Sequence, residues 1–257
     1  MGQFKLCLPV TLRWEGGKSN DPRDPGGATQ DGITQATYNA SRDRHNLPHQ
    51  SVFKMTAAER DAIYREDYWN KMLCDAMAPG VNLVTFDAGV NSGIQRALNW
   101  KAAAASSDRV QTIKGICARR LSFVEGLKTF PIFGKGWRNR IAGIEATAMT
   151  MAAGTVAKTV LSVEARSARS KAATAKALAK TVPAGAGGVE ATHQIAGGGH
   201  LWLTLLLIAL TGAAIAILII RHKIQASRAQ ALEGAAITLS MPAATVIPTD
   251  KKESVGV

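Results

Sequence analysis

Residues 13 to 34 read RWEGGKSNDPRDPGGATQDGIT: a carboxylate against a glycine pair, a run of Asp, Pro and Gly, then Gly-Ile-Thr. Turns are built from these residue types for reasons of backbone geometry. A solvated surface loop accounts for the composition, and so does a loop that carries catalytic groups. The flanking residues bear on the choice. Leu8, Leu12 and Glu15 are spaced by 4 and 3, so a short helix beginning near Pro9 places them along one face. Gly16 and Gly17 are expected to end that helix in the left-handed conformation. Glu15 is then predicted in a last helical turn, beside apolar side chains and near the negative end of the helix dipole. Both effects raise the pKa expected of a carboxylate, as a general acid working near neutral pH requires. Arg13 opposes the shift but is expected to point elsewhere around the helix.

Asp21, Asp24 and Asp31, with Thr29 and Thr34, follow in the same stretch. Asp24 is the favoured second carboxylate. Protonating a glycosidic oxygen leaves an oxocarbenium-like transition state, which a nearby carboxylate, or a water held by a carboxylate and a hydroxyl such as that of Thr29, can stabilise or attack. The competing reading is that Asp21 and Asp24 merely precede Pro22 and Pro25 as turn residues.

Outward from this loop, the first 150 residues read as mainly helical. Thr56 and Glu59 form a capping box. Val110, Ile113, Cys117, Leu121 and Val124 make the stripe of a core-facing helix over 108–127, and Leu83, Phe86 and Val90 suggest another. The opening loop is the one good hairpin candidate. Four of the five Trp and all three Tyr fall before residue 140, where a core and a cleft are expected. Cys7, Cys74 and Cys117 are odd in number and far apart, and read as small buried hydrophobes, not a disulfide framework. His45 and His49 have Pro48 between them and do not read as a metal pair. No cofactor or metal is expected.

The net charge of +12 divides evenly about residue 150, which favours polyanions in general and selects none. No stripe of cations with interleaved aromatics appears, so nucleic-acid binding is not expected. Pro9 breaks the N-terminal apolar run and no signal peptide is read; Leu6 stands where a myristoylation motif requires Ser or Thr. The expected organisation is a domain over 1–150, a basic Ala-rich stalk over 151–182, a Gly- and Ala-rich linker over 183–200, a transmembrane helix over 201–220 and a basic tail over 221–257. LWLTLLLIALTGAAIAILII (201–220) carries no charge and, at about 1.5 Å per residue, matches a hydrocarbon core of about 30 Å. Cations follow this run and none falls in the twenty residues before it. The tail is therefore expected in the cytoplasm and the N-terminal domain on the periplasmic side of a bacterial inner membrane.

Glu-Gly-Gly at 15–17 followed by DPGGATQDGIT at 24–34, then FDAGVNSG from Phe86 to Gly93, then TFPIFGKGWRNR from Thr129 to Arg140, resemble in that order the glycoside hydrolase family 108 muramidases, lysozyme-like enzymes of phage endolysins and bacterial secretion loci. The third block is similar to the family's peptidoglycan-binding-type region. The resemblance implies an α+β lysozyme-like fold, mainly α with a small β-hairpin near the active site. It also implies hydrolysis of the β-1,4 bond between N-acetylmuramic acid and N-acetylglucosamine, with Glu15 as the essential acid. Asp24 and Thr29 echo the Glu, Asp, Thr arrangement of other phage lysozymes by analogy. Lys18 stands where the family often has an aromatic residue. Asn91 and Ser92 are candidate sugar ligands or an ordinary helix cap; Trp137 is a candidate groove residue or core; Asp87 reads as structural.

The resulting expectation is a membrane-tethered peptidoglycan hydrolase of the endolysin type, binding glycan strands and the bilayer through 201–220, with a holin or other pore as a candidate partner. A wall-remodelling muramidase serving a secretion system shares the chemistry. A non-catalytic peptidoglycan-binding membrane anchor is the reading from another class.

Overall fold

The computed structural model describes residues 2–20, 27–181 and 201–240. The expected second carboxylate, Asp24, the linker over 183–200 and the part of the tail beyond residue 240 lie outside the described residues. The chain divides into two compact units, Met1–Gly154 and Thr155–Val257.

The first helix, Gln3–Leu12 (α1), begins well before Pro9 and holds that proline in its interior. Phe4, Cys7, Leu8 and Thr11 are its buried face. Gly16 and Gly17 do not end it in the left-handed conformation, since neither has a positive φ. The helix closes instead on backbone bonds, Trp14 N–H to Thr11 O at 2.9 Å and Glu15 N–H to Leu12 O at 3.2 Å. Glu15 therefore sits just past α1 and not in its last turn.

Asp31 and Gly32 have φ of 50° and 76°, the two positive angles that a two-residue type I′ hairpin loop needs. Thr29–Gln30 (β1) and Ile33–Thr34 (β2) pair antiparallel across them, Thr29 opposite Thr34 and Gln30 opposite Ile33. Ser19 bridges to the outer side of Thr29 through two backbone hydrogen bonds of 2.9 Å. Ile33 is buried, and the Thr34 hydroxyl accepts from Thr37 N–H at the start of the next helix, Gln35–Arg44 (α2). Gly-Ile-Thr thus supplies a turn, a core residue and a helix cap in succession.

Thr56 and Glu59 form the predicted capping box on Ala57–Tyr64 (α3), which widens into a π turn over Arg65–Asn70. Val81–Ser92 (α4) is buried on nearly every side, so it lacks the polar face of a surface helix. Phe86 of α4, Trp69 of the π turn and Phe4 of α1 meet edge to face at 5.3 to 6.1 Å, and Tyr64 joins Phe86 at 6.3 Å. Ile94–Ala103 (α5), Arg109–Glu125 (α6) and Phe130–Ala153 (α7) complete the unit. α6 and α7 lie together and both reach α4, with Ile113, Cys117 and Val124 of the predicted stripe turned inward. All three cysteines are free and buried, and burial pushes the thiols of Cys7 and Cys74 up to about 12. The mainly α architecture with one small hairpin is the one expected.

In the second unit, Ala157–Thr181 (α8) faces Leu201–Thr238 (α9). Glu164 pairs with Arg228 at 3.0 Å and the Ala172 carbonyl meets His222 Nδ1 at 3.0 Å, so the helices run antiparallel. Ala165, Ala168, Ala172 and Leu161 on α8 and Ala229, Leu232 and Ala236 on α9 are buried. α9 does not stop at residue 220, and Ala209–Thr238 is long and apolar enough to cross a membrane by length and composition.

Candidate active site

The three blocks that carry the resemblance meet in space. Glu15 follows α1, Asp87 lies on α4 in the second block, and Arg140 lies on α7 as the last residue of the third. Arg140 Nη2 donates to Glu15 Oε1 at 2.6 Å and to Asp87 Oδ1 at 2.8 Å, while its Nε donates to Asp87 Oδ2 at 3.2 Å. Its Nη1 reaches the Trp14 carbonyl at 3.4 Å. From α6, Arg120 donates to Asp87 Oδ2 at 2.5 Å and to Asn91 Oδ1 at 3.0 Å. The Asp87 side chain is wholly buried and those of Arg120 and Arg140 are 3% and 7% exposed, against 16% for Glu15. Glu15 is thus the one member of this charged cluster open to solvent.

Burial alone would raise the Asp87 pKa, but Arg120 and Arg140 outweigh it and hold the carboxyl below the ordinary range. Burial would likewise lower the pKa of Arg140; Asp87 first and Glu15 second overcome that and raise it. Two guanidiniums around one buried carboxylate leave a surplus positive charge, which the Glu15 carboxylate compensates. Glu15 therefore lies in a charge-matched setting and not in a purely apolar one, and the cation that matters is Arg140 in place of Arg13.

The hairpin forms the other side of the acid. A methyl group at Gly32 would lie 2.8 Å from Glu15 Oε2 and 2.9 Å from the Tyr64 hydroxyl. Oε1 therefore faces Arg140 while Oε2 faces the hairpin tip. Tyr64 donates to the Asp31 carbonyl at 2.7 Å, tying the tip to α3. Burial, then the neighbouring Glu15 carboxylate, pushes the Tyr64 phenol well up; burial, then Asp67 and Glu15, raises that of Tyr68.

The other sequence candidates fall around this centre. Thr29 lies on β1 with its hydroxyl donating to the Gly27 carbonyl at 3.0 Å. Asn91 is exposed one turn along α4 from Asp87, and its Oδ1 is shared by Arg120 and, at 3.4 Å, the Ser92 hydroxyl. Ser92 is largely buried, and its carbonyl accepts from Arg96 at 2.5 Å. Trp137 is half-buried on α7 one turn before Arg140, 5.9 Å from Phe133 and 6.3 Å from Phe130. Lys18 stands over the Phe53 ring at 5.8 Å, so the position that departs from the family still contacts an aromatic face. No group of three His, Cys, Asp or Glu able to hold a metal occurs among the described residues. Sequence reasoning missed Arg120 and Arg140. Arg140 was within a quoted block, but nothing local marks it as a partner of Glu15, 125 residues away.

A sequence model of the family described as glycosyl hydrolase 108 matches residues 8–93, which hold Glu15, the hairpin, Asp87, Asn91 and Ser92. A solved structure described as Brucella abortus SagA is 30% identical in sequence and superposes with a TM-score of 0.51, covering 60% of this chain and 98% of that chain. No curated protein matches the chain.

Proposed function

The chain belongs to the glycosyl hydrolase 108 family, and from that premise we propose that it cleaves the β-1,4 bond between N-acetylmuramic acid and N-acetylglucosamine in peptidoglycan, with Glu15 as the general acid. Membership supports a glycoside hydrolase acting on peptidoglycan; the assignment of bond and acid is the further step. The observation that carries it is the setting of Glu15, with Arg140 2.6 Å from Oε1 and Oε2 turned to the hairpin. Proton transfer from Oε2 to the glycosidic oxygen creates a carboxylate beside a guanidinium already held by Asp87. The charge that develops on the enzyme meets a preorganised partner, so the interaction strengthens in the transition state. Asp24 and Thr29 are assigned to the stabilisation or attack of the sugar cation, and Asn91, Ser92 and Trp137 to substrate binding.

Tethering extends this reading. Residues 201–220 anchor the enzyme in the inner membrane, with the catalytic domain on the periplasmic side and the tail in the cytoplasm, as the flanking cations favour. A lytic enzyme released or admitted through a holin-type pore during phage lysis fits this arrangement.

Zymography on purified cell wall tests the chemistry. The wild-type chain is expected to clear the gel and Glu15→Gln to leave it opaque, because an amide cannot donate the proton. Equal clearing by both removes Glu15 from the role of acid. Muropeptide analysis of the products then tests the bond, with reducing-end N-acetylmuramic acid as the expected product.

A further inference from the structure

We propose that Asp87 and Arg140 are positioning residues for this reaction: Asp87 holds the Arg140 fork so that it receives the carboxylate formed as Glu15 gives up its proton. The inference rests on Glu15 being the acid and adds what makes that acid work.

A structural pairing of α4 with α6 is complete with one guanidinium on the buried Asp87. Arg120 supplies that contact at 2.5 Å. Arg140 is a second cation on the same carboxylate, and its Nη2 is shared between Asp87 Oδ1 and Glu15 Oε1 at 2.8 and 2.6 Å. Asp87, Arg120 and Arg140 together carry one positive charge in a region closed to solvent. An ionised Glu15 makes the four-residue cluster neutral, and a protonated Glu15 leaves it positive. The cluster is thus matched to the state of the acid after transfer, which is the condition for lowering a barrier instead of merely binding substrate. Because Asp87 takes up two of the N–H donors of Arg140, the fork is already oriented when the charge appears.

The step balances within the residues named. The proton leaves Glu15 Oε2 for the glycosidic oxygen, the bond from that oxygen to the anomeric carbon breaks, and its electron pair stays on the oxygen. Positive charge develops on the sugar ring, negative charge rests on Glu15, and Arg140 keeps its proton throughout. Water later supplies hydroxide to the sugar and returns a proton to the enzyme. The other titratable groups beside Glu15 are Tyr64 on α3 and Tyr68 on the π turn, while the Asp31 carboxylate at the hairpin tip pairs with Arg60 at 3.4 Å. Both tyrosines are held protonated across the working range.

The test uses the full-length chain, with wall turnover followed as kcat, KM and pH profile for Arg140→Lys, Arg140→Gln and Asp87→Asn. Arg140→Lys keeps the charge and loses the fork. It is expected to lower kcat about 10- to 100-fold with KM within about twofold, and to leave the alkaline limb of the profile in place. Arg140→Gln removes the surplus positive charge, so Glu15 keeps its proton longer and the alkaline limb moves to higher pH. Asp87→Asn leaves two uncompensated cations and moves it to lower pH. The limb shifts report the charge around Glu15, and the kcat of the charge-conserving Arg140→Lys reports positioning: a purely structural role leaves it at the wild-type value. Should Asp87→Asn fail to fold, the two Arg140 variants decide. If Glu15→Gln is inactive while folded Arg140→Lys keeps the wild-type kcat, the positioning role is wrong and the acid assignment stands. If Glu15→Gln is itself active, the acid assignment has failed first.

Discussion

Gly32→Ala isolates the contact between the hairpin and the acid. Gly32 has a φ of 76°, and forcing alanine into the left-handed region costs about 1–2 kcal/mol. Gly27 has a φ of 62° and no atom within 4 Å of where its Cβ would lie, so Gly27→Ala carries the backbone term alone. At Gly32 the new methyl also meets Glu15 Oε2 at 2.8 Å and the Tyr64 hydroxyl at 2.9 Å. Ordinary van der Waals contact begins at 3.4 Å, so the carboxylate has to retreat by about 0.6 Å. A shift of about 1 Å in a reacting group can lower the rate about 100-fold, so a loss of about tenfold is the working figure. Thermal unfolding and wall turnover are measured on both variants. Gly27→Ala is expected to lose about 1–2 kcal/mol of stability and Gly32→Ala at least as much, with kcat falling only in Gly32→Ala. If the two variants lose kcat equally while folded, the hairpin does not press on the acid and the assignment of Oε2 as the proton-bearing oxygen fails.

Two further outcomes follow from the geometry. Thr56 and Glu59 cap α3, and hydrogen bonds from Thr56 and Tyr38 together with the charge of Arg42 outweigh burial and hold the Glu59 carboxyl below its ordinary pKa. A depressed folded-state pKa contributes stability above the unfolded value and loses it as pH falls through the folded one. The stability gap between wild type and Glu59→Gln in urea titrations is therefore expected to be full near pH 7 and to shrink below about pH 4; a gap independent of pH refutes the linkage. In the second unit, α8 lies alongside the C-terminal part of α9, with Glu164 by Arg228 and Ala172 by His222. If residues 201–220 cross a bilayer with the chain ends on opposite faces, α8 must leave α9. A cysteine at the buried Leu161 is expected to resist maleimide in the soluble chain and to react in proteoliposomes, and equal protection in both overturns that topology.

What the amino-acid sequence determined was local. Asp31-Gly32 can make a type I′ turn because only such residues tolerate two positive φ values in succession. Thr34 and Thr56 cap helices through atoms three residues away, and the inward stripe of α6 is written in its period. Glu15 was legible as a candidate acid, because Glu-Gly-Gly sits beside that turn. The tertiary structure alone decided what surrounds it. Arg140 reaches Glu15 across 125 residues and Asp87 across 53, and Arg120 reaches Asp87 across 33, distances over which no periodicity or turn chemistry carries information. The expected left-handed Gly16 and Gly17 fail for the same reason: where Glu15 must sit is settled by α7 and the hairpin, and the backbone after α1 follows. A carboxylate read from its own neighbours looks isolated in an apolar turn; folding places it against a buried charge pair, because desolvating a second arginine is tolerable only where an anion waits for it.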